Sequence, residues 1–74
     1  MPPADLIGLI ELTLVGLAPI AERALVIKEQ VLNDPDAVDW ERPRAYNFNR
    51  DLGRAIHSLE LLHGDLEKRM LRPE

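Results

Sequence analysis

The 74-residue chain contains no cysteine, and its only hydroxyl side chains besides tyrosine are Ser58 and Thr13. The absence of cysteine excludes a disulfide framework and a thiol nucleophile, and nothing in the chain requires an oxidising compartment. Ser58 adjoins His57, but neighbouring residues on a helix diverge and do not face each other. The four glycines are isolated and form no phosphate-binding loop. We therefore expect no enzymatic activity, no catalytic residue and no cofactor.

Aromatic residues are almost as scarce, since the chain has one Trp, one Tyr and one Phe. All of them lie between residues 40 and 54, together with four of the nine basic residues. The net charge of −4 argues against duplex nucleic acid as a partner, because that mode of binding relies on neutralising phosphates. A basic segment in an acidic protein can still hold a small anion. The residues of this arginine and aromatic cluster are Trp40, Arg42, Arg44, Tyr46, Phe48, Arg50 and Arg54.

Two interpretations of this cluster remain open. Arginine matches the geometry of phosphate and aromatic faces stack on bases, so the cluster is a candidate binding site for a small anionic nucleotide. Arg50 and Arg54 are one helical turn apart and are expected to project together. Alternatively, the aromatic side chains fill the open end of a helical hairpin, and the arginines pair with the preceding acidic run. That run consists of Asp34, Asp36, Asp39 and Glu41.

The first half of the chain is strongly apolar. Its apolar residues recur at helical spacing from Leu6 to Val31, which predicts a helix that follows Pro2 and Pro3. Proline in a helix interior removes a hydrogen bond and clashes with the preceding turn. We therefore expect this first helix to be kinked or broken near Pro19.

This helix carries apolar residues on more than one side. A helix that packs on a single partner needs one apolar stripe about 100° wide, so an intramolecular hairpin leaves part of the surface uncovered. A cysteine-free chain of this size also has few means of stabilisation other than self-association. We predict burial against another copy of the chain, the alternative being an apolar helix that stays solvated. The predicted oligomer interface consists of Leu6, Ile7, Ile10, Leu14, Leu17 and Leu25.

The apolar run from Leu6 to Leu17 also raises the question of a membrane segment. The run is too short to span a bilayer, Glu11 interrupts it, and no basic segment precedes it. We therefore expect neither a transmembrane helix nor a secretory signal. The expected location is cytoplasmic, with no membrane partner.

A second helix is predicted in the last third of the chain. The turn residues from Asn33 to Asp36 end the first helix, and Pro43 is expected to block a helix through the aromatic cluster. The second helix should begin at Asn47 or Asn49, which are good N-cap residues, and end near residue 71 before Pro73. Its predicted core face is formed by Leu52, Ala55, Ile56, Leu59, Leu62, Leu66 and Met70.

His57, Glu60 and His63 form a row at three-residue steps on this second helix, and Glu67 extends the row. The direction of the side chains drifts along such a row, so His63 points towards the apolar face and His57 away from it. A single helix is therefore not expected to bring both histidines to one ion, and a site would need ligands from another helix or subunit. We predict no bound metal.

Residues 50–60, with the sequence RDLGRAIHSLE, resemble the last helix of a phage helical-hairpin domain. That helix follows the pattern R-E-L-x-x-A-[IL]-x-x-L-E, and residues 61–64 depart from the family, which usually has aromatic residues there. The family includes small oligomeric proteins that sequester cyclic oligonucleotide or cyclic ADP-ribose signals and so weaken bacterial immune signalling. The resemblance implies a helical hairpin, an oligomer and a nucleotide ligand.

Together these observations predict a single all-α domain over residues 1–74, a helical hairpin that oligomerises into a helical bundle. The predicted function is a non-enzymatic protein–protein interaction module, an adaptor or an inhibitor, whose partners are further copies of itself and another protein. The alternative is a phage-type binder that sequesters a nucleotide or cyclic-nucleotide signal through the arginine and aromatic cluster.

Overall fold

The computed structural model describes residues 1–71, which form two antiparallel α-helices of equal length. Helix α1 comprises Pro3–Asn33 and helix α2 comprises Glu41–Leu71. The hairpin measures 60 × 16 × 16 Å, so it is a rod one helix pair thick. The prediction of an all-α helical hairpin is confirmed over the described residues.

Helix α1 runs through Pro19 without interruption. The predicted break near Pro19 is therefore wrong, while a kink stays a prediction. Proline removes only its own N–H from the hydrogen-bond ladder, and the helix on either side of Pro19 is held by its contacts with α2. At the start of α1, the Pro2 carbonyl accepts hydrogen bonds from the backbone N–H groups of Asp5 and Leu6 at 3.1 and 3.2 Å.

Asp34 organises the connection between the helices. Its carboxylate Oδ1 accepts the backbone N–H of Asp36 at 2.9 Å, and its carbonyl accepts the N–H of Ala37 at 3.3 Å. The Arg42 guanidinium donates to the same carbonyl from the first turn of α2, at 2.8 Å. An aspartate that bonds to the backbone two residues later is typical turn chemistry, so the predicted end of the first helix is confirmed.

Helix α2 begins at Glu41, earlier than the predicted start at Asn47 or Asn49. Pro43, which was expected to block the helix, lies in its first turn. The backbone N–H groups of a first turn have no acceptor within the helix, so proline costs no hydrogen bond there. The described part of α2 extends to Leu71, and the predicted end before Pro73 stays a prediction because Pro73 lies outside the described residues.

The two helices meet along a seam, defined here as the buried and half-buried positions that alternate at three- and four-residue steps on each helix. This spacing is the heptad pattern of a two-stranded coiled coil. On α1 the seam consists of Ile7, Ile10, Leu14, Leu17, Ala21, Ala24, Lys28 and Val31. On α2 it consists of Arg42, Ala45, Asn49, Leu52, Ile56, Leu59, His63 and Leu66.

The predicted core face of the second helix is corrected in three places. Ala55, Leu62 and Met70 are exposed, and His63 occupies the seam position between Leu59 and Leu66. Ala55 and Leu62 lie outside the seven-residue repeat that faces α1. Met70 continues the repeat seven residues after His63, but it lies near the end of α2 and is 53% exposed.

Five of the six residues predicted for the oligomer interface are covered within the hairpin. Ile10 is buried, and Leu6, Ile7, Leu14 and Leu17 are half-buried, so α2 already covers part of their surface; their role in an oligomer stays a prediction. The sixth, residue 25, is exposed. Other large apolar residues of α1 also remain exposed, and six of them are called the outer face below: Leu9, Leu12, Val15, Ile20, Val26 and Ile27.

The composition of α1 has a second implication. Over Pro3–Asn33 the helix is long and apolar enough to cross a membrane, with a mean hydropathy of 1.8 in its most apolar window. The run considered in the sequence, from Leu6 to Leu17, was shorter than the helix that forms. Length and composition alone do not distinguish a membrane span from a helix that packs against protein.

Candidate functional site

The most closely organised group of ionisable side chains is built around His63. Its Nε2 lies 2.9 Å from Oε1 of Glu11, and its Nδ1 lies 2.8 Å from Oε1 of Glu67. One ligand atom from each of these three residues lies within 4.8 Å of the other two. This group, Glu11, His63 and Glu67, is called the His63 cluster below.

The heptad pattern explains how the cluster assembles. His63 lies in the seam with its side chain 21% exposed, and the antiparallel pairing places Glu11 of α1 beside it. Glu67 follows four residues later on α2, so it lies on the same side of that helix. Nearer the loop, Nζ of Lys28 lies 5.9 Å from the centroid of the Tyr46 ring. This contact has the same register between the helices as the contact of Glu11 with His63. The cluster is thus a consequence of the alignment of the two helices.

The protonation of His63 follows from its neighbours. Its hydrogen bond with Glu11 raises the pKa of the imidazole above 6.5, the negative charges of Glu67 and Glu11 act in the same direction, and desolvation opposes them. Both ring nitrogens face carboxylate oxygens, and only the imidazolium can donate a proton to both. The cluster therefore favours the charged histidine.

The predicted row of His57, Glu60 and His63 is only partly brought together. Of these, His63 alone belongs to the cluster; His57 and Glu60 are exposed. A site was expected to need ligands from another helix or subunit; α1 brings Glu11 next to His63, and this residue was not identified from the sequence. The alignment that places Glu11 next to His63 becomes visible only when the seven-residue repeats of both helices are matched around the turn.

The arginine and aromatic cluster lies at the loop end of the hairpin. Trp40, Tyr46 and Phe48 remain 55%, 51% and 51% exposed, so they do not fill the open end of the hairpin. The Arg44 guanidinium carbon lies 4.5 Å from the centroid of the Trp40 ring, within the range of a cation–π contact. The interpretation of the aromatic residues as a hairpin plug is therefore wrong.

The arginines do not neutralise the acidic run either. Arg42 donates to the backbone carbonyl of Asp34, and Arg50 pairs with Asp51 at 3.2 Å. Within residues 1–71 no arginine forms an ion pair with the carboxylates at positions 34, 36, 39 or 41. The exposed carboxylates of the loop stay in solvent.

The seven predicted ligand-binding residues do not share one face. Arg44 and Phe48 lie one turn apart on one flank of α2, and Trp40, which directly precedes the helix, contacts Arg44; we call these three residues the tryptophan ridge. Arg42 lies in the seam, where it donates to the Asp34 carbonyl, and the other members lie on the opposite flank or on the back of the helix; these are Tyr46, Arg50 and Arg54. Of the seven residues, only those of the tryptophan ridge therefore remain candidates for a nucleotide site.

Comparison of the chain with models of protein families, with curated proteins and with solved structures finds no match. The function is therefore argued from the residues themselves.

Proposed function

We propose that the chain is a homo-oligomeric protein–protein interaction module, an adaptor or an inhibitor, that has no catalytic activity. The observation that carries this proposal is the apolar outer face of α1, which stays exposed after the hairpin has formed. Apolar surface of this extent on a small protein is typical of an interaction site.

The size of the exposed surface supports the proposal. The hairpin exposes 5847 Å², which is about 1,200 Å² more than the roughly 4,600 Å² expected of a compact monomer of this size. A stable protein–protein interface covers about 800 Å² of each partner. The surplus surface of the rod is therefore larger than one side of such an interface.

The shape of the outer face supports the same function. A shallow groove on α1 is lined by Glu22, Arg23, Val26 and Ile27, all from this one helix. A second groove lies outside this face, near the end of α2, between Glu67 and the apolar residues at positions 70 and 71. Grooves between apolar side chains of a single helix receive the side chains of a packing helix.

Sedimentation equilibrium of the full chain tests the proposal. Between about 1 and 100 µM, the range of ordinary protein affinities, we expect a dimer or a larger assembly. A folded monomer at the highest concentration would contradict self-association. Co-sedimentation with neutral phosphatidylcholine vesicles in the same experiment would instead assign the apolar face to lipid.

The second candidate function is the sequestration of a nucleotide or cyclic-nucleotide signal. The exposed tryptophan ridge favours it, because an accessible indole beside a guanidinium can stack on a base and pair with a phosphate. Trp40 is the only tryptophan, so its fluorescence should change when nucleotides or cyclic dinucleotides bind. Arg44→Ala should remove the response and Arg69→Ala should keep it. An unchanged emission with every ligand would exclude this function.

A further inference from the structure

The His63 cluster has the features of a metal site, and the proposed interaction surface does not account for this cluster. One imidazole and two carboxylates converge from both helices, with ligand atoms no more than 4.8 Å apart. Nε2 of His63 and Oε1 of Glu11 are only 2.9 Å apart. Two atoms that share a zinc ion at about 2.0 to 2.1 Å lie roughly 3.4 Å apart, so one ion can bind both after a small outward movement.

We propose that the His63 cluster binds one divalent transition-metal ion of the Zn²⁺ class, with His63 Nε2 and a Glu11 oxygen as ligands. Glu67 accepts the proton of Nδ1, which orients the ring and directs the Nε2 lone pair at the ion. Carboxylates hold metal-binding histidines in this way in many metal sites. Water or a residue of another molecule fills the remaining coordination positions.

The donor set decides the class of ion. Imidazole nitrogen suits Zn²⁺, Cu²⁺, Fe²⁺ and Ni²⁺, whereas Mg²⁺ and Ca²⁺ prefer oxygen ligands only. A histidine in the seam next to two carboxylates therefore selects against the alkaline-earth ions. The absence of cysteine excludes a thiolate site, and the two protein ligands leave the coordination open.

The local structure allows the adjustment that binding needs. The Glu11 and Glu67 side chains are 59% and 54% exposed, so each can change rotamer without disturbing packed neighbours. His63 is fixed more firmly because it lies in the seam. A rigid histidine with two mobile carboxylates can bind an ion without unfolding either helix.

The test uses the full chain after treatment with a chelator, titrated with ZnCl₂ by calorimetry. We expect saturable binding that is lost in His63→Gln, and a loss of affinity of about 10- to 100-fold in Glu67→Gln, the usual effect of removing a carboxylate that orients a histidine. His57→Gln is the matched control, because it removes an exposed histidine from the same helix, and it should bind normally.

Two further measurements separate metal binding from a purely structural role. Co²⁺ bound through His63 should give visible absorption bands that Glu11→Gln alters, even if His63→Gln fails to fold. MgCl₂ should neither compete with ZnCl₂ nor change the bands. Absence of saturable Zn²⁺ binding, or equal loss of binding in His57→Gln and His63→Gln, would overturn the proposal and leave the cluster as an ion pair between helices.

Discussion

The seam and the outer face of α1 are built from the same kinds of residue but differ in their surroundings. Ile10 in the seam is 7% exposed, whereas Leu12 and Val15 on the outer face are each 73% exposed. Hydrophobicity does not separate these residues. Burial follows the seven-residue repeat that α1 shares with α2, so position in the repeat decides which apolar side chains form the core.

The seam itself is uneven along its length. Near the chain ends it contains large aliphatic residues, together with His63. Near the loop it contains Val31 and otherwise small or polar residues, namely Ala21, Ala24, Lys28, Arg42, Ala45 and Asn49. Apolar burial, which stabilises the hairpin in proportion to area, is therefore concentrated towards the chain ends. The loop end relies more on the turn at Asp34 and on the Lys28–Tyr46 contact.

The largest effect is expected from Ile10→Ala. Removal of a buried isoleucine side chain costs about 2 to 5 kcal/mol, and a hairpin this small has little stability to lose. Urea denaturation followed by circular dichroism should show reduced stability at every protein concentration. Leu12→Ala should reduce stability only at concentrations where another molecule covers the outer face. Equal losses in dilute solution would mean that the two faces are not distinct.

Val15→Glu should have the next largest effect, on association. A charge placed in an apolar contact should raise the dissociation constant of the oligomer about 10- to 100-fold, equivalent to about 1.4 to 2.8 kcal/mol. Sedimentation equilibrium measures this change, while circular dichroism should still show a helical protein. Ser58→Glu is the matched control, since it adds the same charge to an exposed position on α2. Unchanged association in Val15→Glu would exclude the outer face as the interface.

Much of the fold could be predicted from the sequence because its signals are local. The turn chemistry at Asp34 and the helical spacing of apolar residues indicated a hairpin. The start of α2 could not be predicted well, because Pro43 prevents a helix in its interior but is tolerated in its first turn. Where α2 starts relative to Pro43 depends on the length of the loop. The length of the loop depends in turn on the register between the two helices, which local signals do not give.

The candidate sites were less predictable for the same reason. His63 and Glu67 are neighbours on one helix and could be paired from their spacing, but Glu11 is 52 residues away from His63 in the sequence. Similarly, the surface of α1 left for a partner could not be identified until the seam was known. Both sites depend on which helix faces meet, and a helix with apolar residues on several sides does not specify this by itself.

The pH dependence of stability tests the terminal half of the seam. In the folded protein the hydrogen bond with Glu11 raises the pKa of His63 above 6.5. The ion pairs with Glu11 and Glu67 therefore stabilise the fold fully below about pH 6.5, and this stabilisation is lost as the pH rises through the pKa of His63 in the folded protein. With a chelator present, the melting temperature should fall over this range by a few degrees. His63→Gln should flatten the profile and His57→Gln should keep it. A flat profile for the unmodified protein would contradict the raised pKa.

The smallest effect is expected at the tryptophan ridge. Arg44→Ala removes an exposed cation–π contact with Trp40, which contributes about 0.5 to 1 kcal/mol, so the melting temperature should fall by only a few degrees. The fluorescence of Trp40 should change even without a ligand, because the guanidinium no longer covers the ring. Arg54→Ala, at an exposed position away from the indole, should change neither property. A loss of stability in Arg44→Ala as large as that in Ile10→Ala would mean that the loop end contributes to the core, contrary to the unequal burial along the seam.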